Sequence, residues 1–137
     1  MSEGVFLDTV GLIALLNKDD EYHIRSRDLF QEIGHSRQKV ITTNLVLAEL
    51  GNGLARTPLR EDVAWLVERL YEDPSAVVVD LDRDRFLEAL RLYRQRGDKF
   101  WGLVDCASFT VMREMGVRRA FTADRHFEQA GFEALLT

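Results

Sequence analysis

The amino-acid sequence predicts an α/β domain with a mainly parallel central sheet of four or five strands. Short apolar runs of four or five residues alternate along the chain with longer amphipathic stretches. This alternation of strands and helices is typical of parallel sheets. The chain contains no internal repeat, no low-complexity segment and no linker rich in proline, glycine or serine. We therefore expect residues 1–137 to form a single domain, long enough to bury a hydrophobic core.

One strand and two helices are predicted at the beginning of the chain. The run "GVFL" (4–7) predicts the first strand, and "GLIALLN" (11–17) predicts a helix after it. Asp20 is suited to cap a second helix over 21–33, and Gly34 is suited to its C-terminal end.

The second strand is predicted at "KVIT" (39–42), and a third helix follows it directly. Either Thr43 or Asn44 can act as the N-cap of this helix, which we expect over 45–56.

The fourth predicted helix spans 57–72 and has a clear start signal. Thr57 can act as its N-cap, and Pro58 stands at the first helical position, which proline favours. Four apolar residues form a stripe along this helix, for which we expect core packing, with contact to a second protein as the competing interpretation: Val63, Trp65, Leu66 and Leu70.

The second half of the chain continues the same alternation. Gly97 and Gly116 are expected to end the two long helices of this half. The predicted strands are 76–79, 118–122 and an edge strand within 132–136, and the predicted helices are 83–96, 102–115 and 124–130.

Composition and charge limit the classes of function. Hydrophobic residues make up 46% and charged residues 30% of the chain, as in soluble globular proteins. The net charge of −5 argues against a protein that holds nucleic acid mainly by general neutralisation of phosphates. It leaves a nucleic-acid enzyme open, because four of the acids could surround a cation while 18 Lys and Arg remain to contact phosphates.

Several absences predict a cytoplasmic protein that does not enter a membrane. No apolar run approaches the roughly 20 residues that a membrane-spanning helix needs. The chain does not begin with the pattern of a secretory signal. Cys106 is the single cysteine, which is compatible with a reducing compartment.

Two aspartates follow directly on predicted strands. Asp8 ends the segment "VFLD", and Asp124 ends "AFTAD". Ligands of parallel α/β sheets bind beyond the carboxyl ends of the strands, so both side chains are expected at the ligand-binding edge. An ordinary helix N-cap is the competing interpretation for each of them.

Two further acids stand inside predicted helices on faces that are not polar. Glu49 has Leu45 and Val46 as preceding neighbours on its helix face. The neighbours of Asp105 on its own helix are Trp101, Gly102, Ser108 and Phe109. We expect both carboxylates to face inward or into a cleft, where a charge must be paired or bound to a metal.

A cluster of these acids predicts a bound cation. Converging carboxylates repel one another unless positive charge neutralises them. Carboxylate ligands with no histidine or cysteine nearby in sequence favour Mg²⁺ or Mn²⁺ over zinc. Such an ion supports hydrolysis of phosphodiesters, because it activates water and stabilises charge on the phosphate.

The local sequences around these acids resemble those of PIN-domain nucleases, especially VapC-type toxins. The similar segments are "FLDTVGLIALLNKDDEYH", "TTNLVLAEL", "DKFWGLVDCASFTVMREMG" and "AFTADRHFEQAGF", which together span nearly the whole chain. The resemblance implies a three-layer α/β/α PIN-like domain and a Mg²⁺- or Mn²⁺-dependent ribonuclease. The catalytic and metal-binding residues it implies are Asp8, Glu49, Asp105 and Asp124. It also implies a homodimer and a small antitoxin partner.

The segment before Asp105 departs from the family pattern. Members often have "WSLTD" where this chain has "WGLVD". Gly102 and Val104 therefore replace two hydroxyl side chains that could order the Asp105 region.

Five other polar residues are candidates for supporting roles. The hydroxyls of Thr9 and Thr122 could bond a carboxylate or a substrate phosphate. Ser108 is one helical turn beyond Asp105 and could support it or simply pack. Lys99 and Arg125 could bind phosphate, with ordinary surface charge as the competing interpretation.

The remaining polar groups are expected to be structural. Asp80, Asp82 and Asp84 are interpreted as helix caps and first-turn acids that the helix dipole favours. Cys106 is expected in the core. No histidine is expected to take part in catalysis: His23, His35 and His126.

Three alternative functions follow from the same acids. The first is a PIN-like domain that binds RNA or protein without cleavage. The second is a receiver-type phosphoacceptor domain using Asp80, but Thr9 and Val10 follow Asp8 where this class needs an acid pair, and "AFTAD" contains no lysine. The third, an aspartyl-phosphate phosphatase, needs an acid where Val10 stands.

Overall fold

The computed structural model describes residues 4–137, which form an α/β domain. Five strands and seven helices occur in this part of the chain. The strands are β1 (Val5–Leu7), β2 (Val40–Thr43), β3 (Ala76–Val79), β4 (Arg119–Phe121) and β5 (Glu133–Ala134). The helices are α1 (Thr9–Leu16), α2 (His23–His35), α3 (Asn44–Gly53), α4 (Arg60–Glu72), α5 (Arg83–Gln95), α6 (Leu103–Met115) and α7 (Arg125–Gln129).

The sheet is entirely parallel, which confirms the predicted fold class. Its strand order is β3-β2-β1-β4-β5, so β1 lies at the centre. The chain moves from β1 towards β3 on one side and then returns to β4 and β5 on the other. Right-handed crossovers therefore place helices on both faces of the sheet, which gives three layers. The strand order reverses between β1 and β4, where ligands of such sheets bind.

Aromatic packing attaches α6 and α7 to each other and to the loop before α6. The fully buried Phe109 ring meets Trp101 edge-on at a centroid distance of 5.0 Å and Phe127 at 4.9 Å. The indole Nε1 of Trp101 donates a hydrogen bond to the side chain of Gln129 at 3.0 Å. The segment that leads into α6 is therefore fixed against α7.

Gly11 allows α1 to approach the end of β4 closely. A Cβ at this position would lie 2.1 Å from the carbonyl oxygen of Phe121. No side chain other than hydrogen fits there. The absence of a Cβ thus brings the start of α1 next to the residues that follow β4.

Three predicted helix starts are wrong by about two residues, the first of them in α1, which begins at Thr9 and not at residue 11. Helix α2 begins at His23, and Asp20 instead accepts a hydrogen bond from the backbone N–H of Tyr22 at 2.8 Å. Helix α4 begins at Arg60, and Thr57 accepts from the N–H of Leu59 at 3.1 Å. Before α2 and α4 the side chain closes a local turn two residues ahead, which competes with capping.

Three of the predicted helix ends also differ from the structure, most of all in α3, which ends at Gly53 and not at residue 56. Helix α2 passes through Gly34 and ends at His35, and α5 ends at Gln95, two residues before Gly97. Gly116 does end α6, in the left-handed conformation with φ of 69°.

Thr43 is the N-cap of α3, as one of the two predicted alternatives. Its Oγ1 accepts from the N–H of Val46 at 3.1 Å. The Asn44 side chain instead accepts from the N–H of Leu81 at 2.9 Å, which links α3 to the segment after β3.

The apolar stripe of α4 is only partly in the core. Val63, Leu66 and Leu70 are buried, as predicted. Trp65 is 61% exposed, with the guanidinium of Arg69 5.5 Å from its ring centre, so core packing is wrong for this residue. Between residues 4 and 137, none of the helices combines the length and the apolar character needed to cross a bilayer.

Candidate active site

Asp8 and Asp124 lie at the same edge of the sheet. Strands β1 and β4 are parallel neighbours, and Leu7 is paired with Phe121 in their register. Both chains therefore leave the sheet side by side, Asp8 directly after β1 and Asp124 three residues after the end of β4. This confirms that the two residues fall at the carboxyl ends of adjacent strands.

Asp8 is a buried acid with an unusual protonation equilibrium. Its side chain caps α1 through the N–H of Val10 at 3.4 Å and accepts from the hydroxyl of Thr122 at 2.7 Å. Burial, together with the charges of Asp105 and Asp124, raises the pKa of Asp8 from 3.8 to about 7, although the hydrogen bond from Thr122 acts in the lowering direction. The carboxylate is thus a cap and also part of an acidic cluster.

Thr122 connects the two strand-end aspartates. Its hydroxyl donates to Asp8 and also accepts from the backbone N–H of Asp124 at 3.1 Å. The Asp124 side chain in turn caps α7 by accepting from the N–H of His126 at 2.9 Å. The capping and site interpretations of Asp124 therefore do not exclude each other.

Asp105 approaches the same group from α6. Its Oδ2 accepts from the backbone N–H of Gly102 at 3.2 Å and lies 2.9 Å from Nδ1 of His126. Burial raises the pKa of Asp105, the nearby charge of Asp124 adds to this, and the hydrogen bond from His126 opposes it. Because a backbone N–H orients the carboxylate, Gly102 does not leave Asp105 without a partner.

His126 lies in the acidic group, although no histidine was expected there. Its Nδ1 is 2.9 Å from Asp105 and 3.6 Å from Oδ1 of Asp124. The premise that no histidine lies near these carboxylates is therefore wrong, while the expectation that His126 is not a catalyst stays a prediction. The signal in the sequence is its position two residues after Asp124, in the first turn of a helix that begins at the edge of the sheet.

Glu49 reaches the site through Thr9, but it is not buried. Its Oε1 accepts from the hydroxyl of Thr9 at 2.5 Å, next to Asp8 in the chain. The residue is exposed, so the first of its two expected positions, facing inward, is wrong, and a position at a cleft is the alternative that stays a prediction. The buried Val46 and Leu50 show that the core-facing side of α3 lies beside Glu49 and does not include it.

Three of the side chains are close enough to bind one cation together. One ligand atom from each of Asp105, Asp124 and His126 lies within 4.8 Å of the others. Asp8 and Glu49 lie outside the group defined by this distance. The donor set, rich in carboxylates whose pKa values are raised at Asp8 and Asp105, fits a divalent cation that would neutralise it.

The other three predicted supporting residues differ in their exposure and in their contacts. The Ser108 hydroxyl donates to the carbonyl of Val104 at 3.0 Å, inside its own helix, so it bonds the backbone and not a site carboxylate. Arg125 is exposed at the first residue of α7, and Lys99 is half-buried in the loop before α6.

Asp80 lies away from this group, as predicted. It is exposed at the end of β3, which is an edge strand two positions from β1. Asp82 caps α5 by accepting from the N–H of Arg85 at 3.0 Å. Cys106 is buried, and burial raises the pKa of its thiol to about 11, with a further contribution from Asp105. Asp82 and Cys106 therefore have the structural roles expected of them.

Comparison with known proteins agrees with the fold. The PIN domain family profile matches residues 5–133. The 23S rRNA-specific endonuclease VapC20 of Mycobacterium tuberculosis, in strains CDC 1551 / Oshkosh and ATCC 25618 / H37Rv, is 30% identical over 129 residues, covering 93% of this chain and 95% of VapC20.

Two solved structures resemble the chain over almost its whole length. The crystal structure of Mycobacterium tuberculosis VapC20, described as a sarcin-ricin loop cleaving toxin, has a TM-score of 0.79 at 26% identity and covers 94% of this chain and 96% of its own. FitAcB from Neisseria gonorrhoeae has a TM-score of 0.60 at 20% identity, with 95% of both chains covered, and shares the fold. On the profile match and the likeness to VapC20, this chain belongs to the PIN domain family.

Proposed function

We propose that the chain is a VapC-type endoribonuclease that hydrolyses phosphodiester bonds of RNA with the help of Mg²⁺ or Mn²⁺. The observation that carries this proposal is the meeting of Asp8, Asp105 and Asp124 at the carboxyl edge of a PIN-domain sheet. Family membership and the likeness to a named endonuclease support the same function.

The four acids are proposed as the catalytic and metal-binding set. Asp105 and Asp124, with His126, have atoms close enough to hold one ion, and the charges of both aspartates act on Asp8. Glu49, on α3, is linked to this set by the hydrogen bond that it accepts from Thr9. When bound, the cation supplies positive charge to the phosphate and activates water for attack.

The neighbouring donors hold these carboxylates in position. Thr122 orients Asp8, Thr9 orients Glu49, and the N–H of Gly102 orients Asp105. Such outer contacts are worth about 10- to 100-fold in metal affinity or activity. Lys99 and Arg125, which come from segments that border the site, are proposed to bind phosphate groups of the RNA.

The proposed substrate is an unpaired loop or single strand of RNA. Nucleases that read RNA act mostly on unstacked loops, and VapC20 is named for 23S rRNA and the sarcin-ricin loop. With RNA as substrate, the cytoplasm is the proposed place of action.

A small antitoxin and a second copy of the chain are the proposed protein partners. The likeness to the VapC20 toxin supports an antitoxin, and the exposed Trp65 on α4 offers apolar surface for a protein contact. Co-expression with the product of a neighbouring small reading frame, followed by co-purification, tests the first partner. Light scattering of the purified chain tests the homodimer.

The function is tested with purified protein and a fluorescently labelled RNA containing an unpaired loop. We expect cleavage in Mg²⁺ or Mn²⁺, loss of cleavage in EDTA, and recovery when Mn²⁺ is added in excess. Cleavage that persists in EDTA would rule out the metal-dependent mechanism. RNA binding without cleavage under all metal conditions would favour the alternative of a PIN-like binding domain.

A further inference from the structure

We propose that Phe100 is a platform on which an unpaired base of the RNA stacks, close to the phosphate that is cleaved. This proposal rests on the proposed ribonuclease function and adds to it a subsite for the substrate. The side chain lies in the loop of residues 96–102, between α5 and α6, and is 94% exposed.

The loop holds Phe100 outward on a fixed backbone. The adjacent Trp101 is only 4% exposed, packs edge-on against Phe109 and donates to Gln129. On the other side, the N–H of Lys99 donates to the carbonyl of Arg96 at 3.0 Å. An aromatic ring held by anchored neighbours loses little freedom on binding, which favours its use as a stacking surface.

A cleft opens beside this ring, and one residue of its lining contacts an acid of the proposed site. Its volume is about 580 Å³, within the range of small-ligand pockets, and its lining includes Tyr93, Phe100 and Gly102. Gly102 also donates its N–H to the Asp105 carboxylate. The five Cα–Cα steps from Phe100 to Asp105 limit their separation to roughly 19 Å. A strand of RNA can therefore reach both within a few nucleotides.

The charge of the cleft fits a nucleotide. Arg96 is paired with Asp98 at 3.0 and 3.1 Å and lies over the ring of Trp101. Asp98 thus offsets Arg96, and Lys99 leaves one net positive charge beside the exposed ring. A base can stack on Phe100 while its phosphate faces Lys99. Stacking of this kind tolerates any base, since every base has a π-face.

The experiment compares Phe100→Ala with Phe100→Trp, and Tyr71→Ala serves as a matched control. Tyr71 is another exposed aromatic residue, 57% exposed, near the end of α4 that leads to the amino edge of the sheet. Steady-state cleavage of a single-stranded RNA gives KM and kcat. In parallel, RNA carrying 2-aminopurine is titrated in EDTA, where quenching of its fluorescence reports stacking without cleavage.

We expect Phe100→Ala to raise KM about tenfold, which is about 1.4 kcal/mol, with kcat changed less than twofold. The 2-aminopurine quenching should be lost in this variant. Phe100→Trp should retain KM and quenching, and Tyr71→Ala should match the wild type. Circular dichroism and Tm confirm that each variant is folded.

Other outcomes separate this proposal from the function on which it rests. If the wild type cleaves RNA but Phe100→Ala has an unchanged KM and unchanged quenching, the stacking proposal is wrong and the ribonuclease stands. If the wild type does not cleave, the function is wrong, and only quenching that depends on Phe100 still supports stacking. A change of oligomeric state in Phe100→Ala would show that the ring contacts a second copy, which overturns the proposal.

Discussion

The carboxyl group of Asp8 is the most perturbed acid of the proposed site. It is 3% exposed, it accepts from Thr122, and the charges of Asp105 and Asp124 act on it. Each of these acids can be replaced by its isosteric amide, which keeps the shape and removes the charge. Replacing one acid at a time by its amide therefore tests the proposed mechanism.

We expect Asp8→Asn and Asp105→Asn each to reduce kcat by more than about a hundredfold, since direct ligands matter more than the groups that orient them. The measurement is cleavage of labelled RNA in Mn²⁺, with Tm recorded for each variant. Asp80→Asn is the matched control, because Asp80 follows a strand in the same way but is exposed at the edge of the sheet. Normal cleavage by either site variant would contradict the assignment.

The pKa of Asp8 predicts how stability depends on pH in the absence of metal. Because the pKa rises from 3.8 to about 7 on folding, the native state binds more protons than the unfolded state between these values. Its stability is therefore expected to fall as pH rises through this window, by an amount on the order of 4 kcal/mol. The measurement is the free energy of unfolding by urea in EDTA at pH 5 and pH 8, an interval over which about 3 kcal/mol of this loss is expected.

The pH dependence should become much smaller in Asp8→Asn and should persist in Asp80→Asn. Added Mn²⁺ should stabilise the wild type most at pH 8, where Asp8 is ionised and the cation binds the native state only. Asp105, whose pKa is also raised, contributes in the same direction. A stability that increases from pH 5 to pH 8 in EDTA would show that Asp8 is not buried among acids.

At the residue level, the sequence identifies acids better than it identifies their partners. Asp8 and Asp124 could be predicted because strand ends share an edge whatever the order of the strands. His126 could not, because its contact with Asp105 depends on how α7 packs against α6. The inward orientation predicted for Glu49 was wrong because this residue lies at the boundary between the buried and the exposed sides of α3. The sequence pattern does not decide which side such a residue belongs to.

The position of α1 depends on its close contact with the end of β4. Gly11→Ala would place a Cβ against the Phe121 carbonyl, and the helix would have to move together with Asp8 at its start. We expect a loss of about 1–3 kcal/mol or more in the free energy of unfolding, as for overpacked cores, together with weaker cleavage. Urea unfolding and the RNA assay measure the two effects.

Gly51→Ala in α3 is the control for the Gly11 variant. A Cβ at residue 51 meets nothing within 4 Å, so alanine there should stabilise the helix by about 0.5–1 kcal/mol. Equal effects of the two substitutions would show that the approach of α1 to β4 is not tight.

Helix ends were predicted less well than helices because local turns compete with caps. Asp20 and Thr57 have the right side chains to cap a helix, but each bonds an N–H two residues ahead. Thr43 met no such competition and caps α3. The type of each element follows from its apolar pattern, whereas its first residue depends on a choice between near-equal hydrogen bonds.

For the whole molecule, a net charge of −5 predicts that only a few cations contact the RNA. The logarithm of affinity for single strands falls with the logarithm of salt by about 0.7 per phosphate contacted. We expect a slope of about −2 or shallower in EDTA, and Lys99→Gln should reduce it by about 0.7. Arg69→Gln on α4 should leave it unchanged; an equal change in both variants would place the RNA elsewhere.

The strand order was not predictable from the sequence, yet the position of the site was. All five strands are parallel, so every strand end faces the same edge whichever strands are neighbours. What the order adds is the pairing of β1 with β4, which decides that the acids after these two strands meet. That pairing depends on long-range packing that no local pattern records.

The bond between Thr122 and Asp8 joins positions 114 apart along the polypeptide. The proposed site is therefore complete only after the ribosome has added the 114 residues that lead from Asp8 to Thr122. A growing chain that has not yet reached Thr122 holds only part of the proposed site. Its two parts meet when β4 pairs with β1.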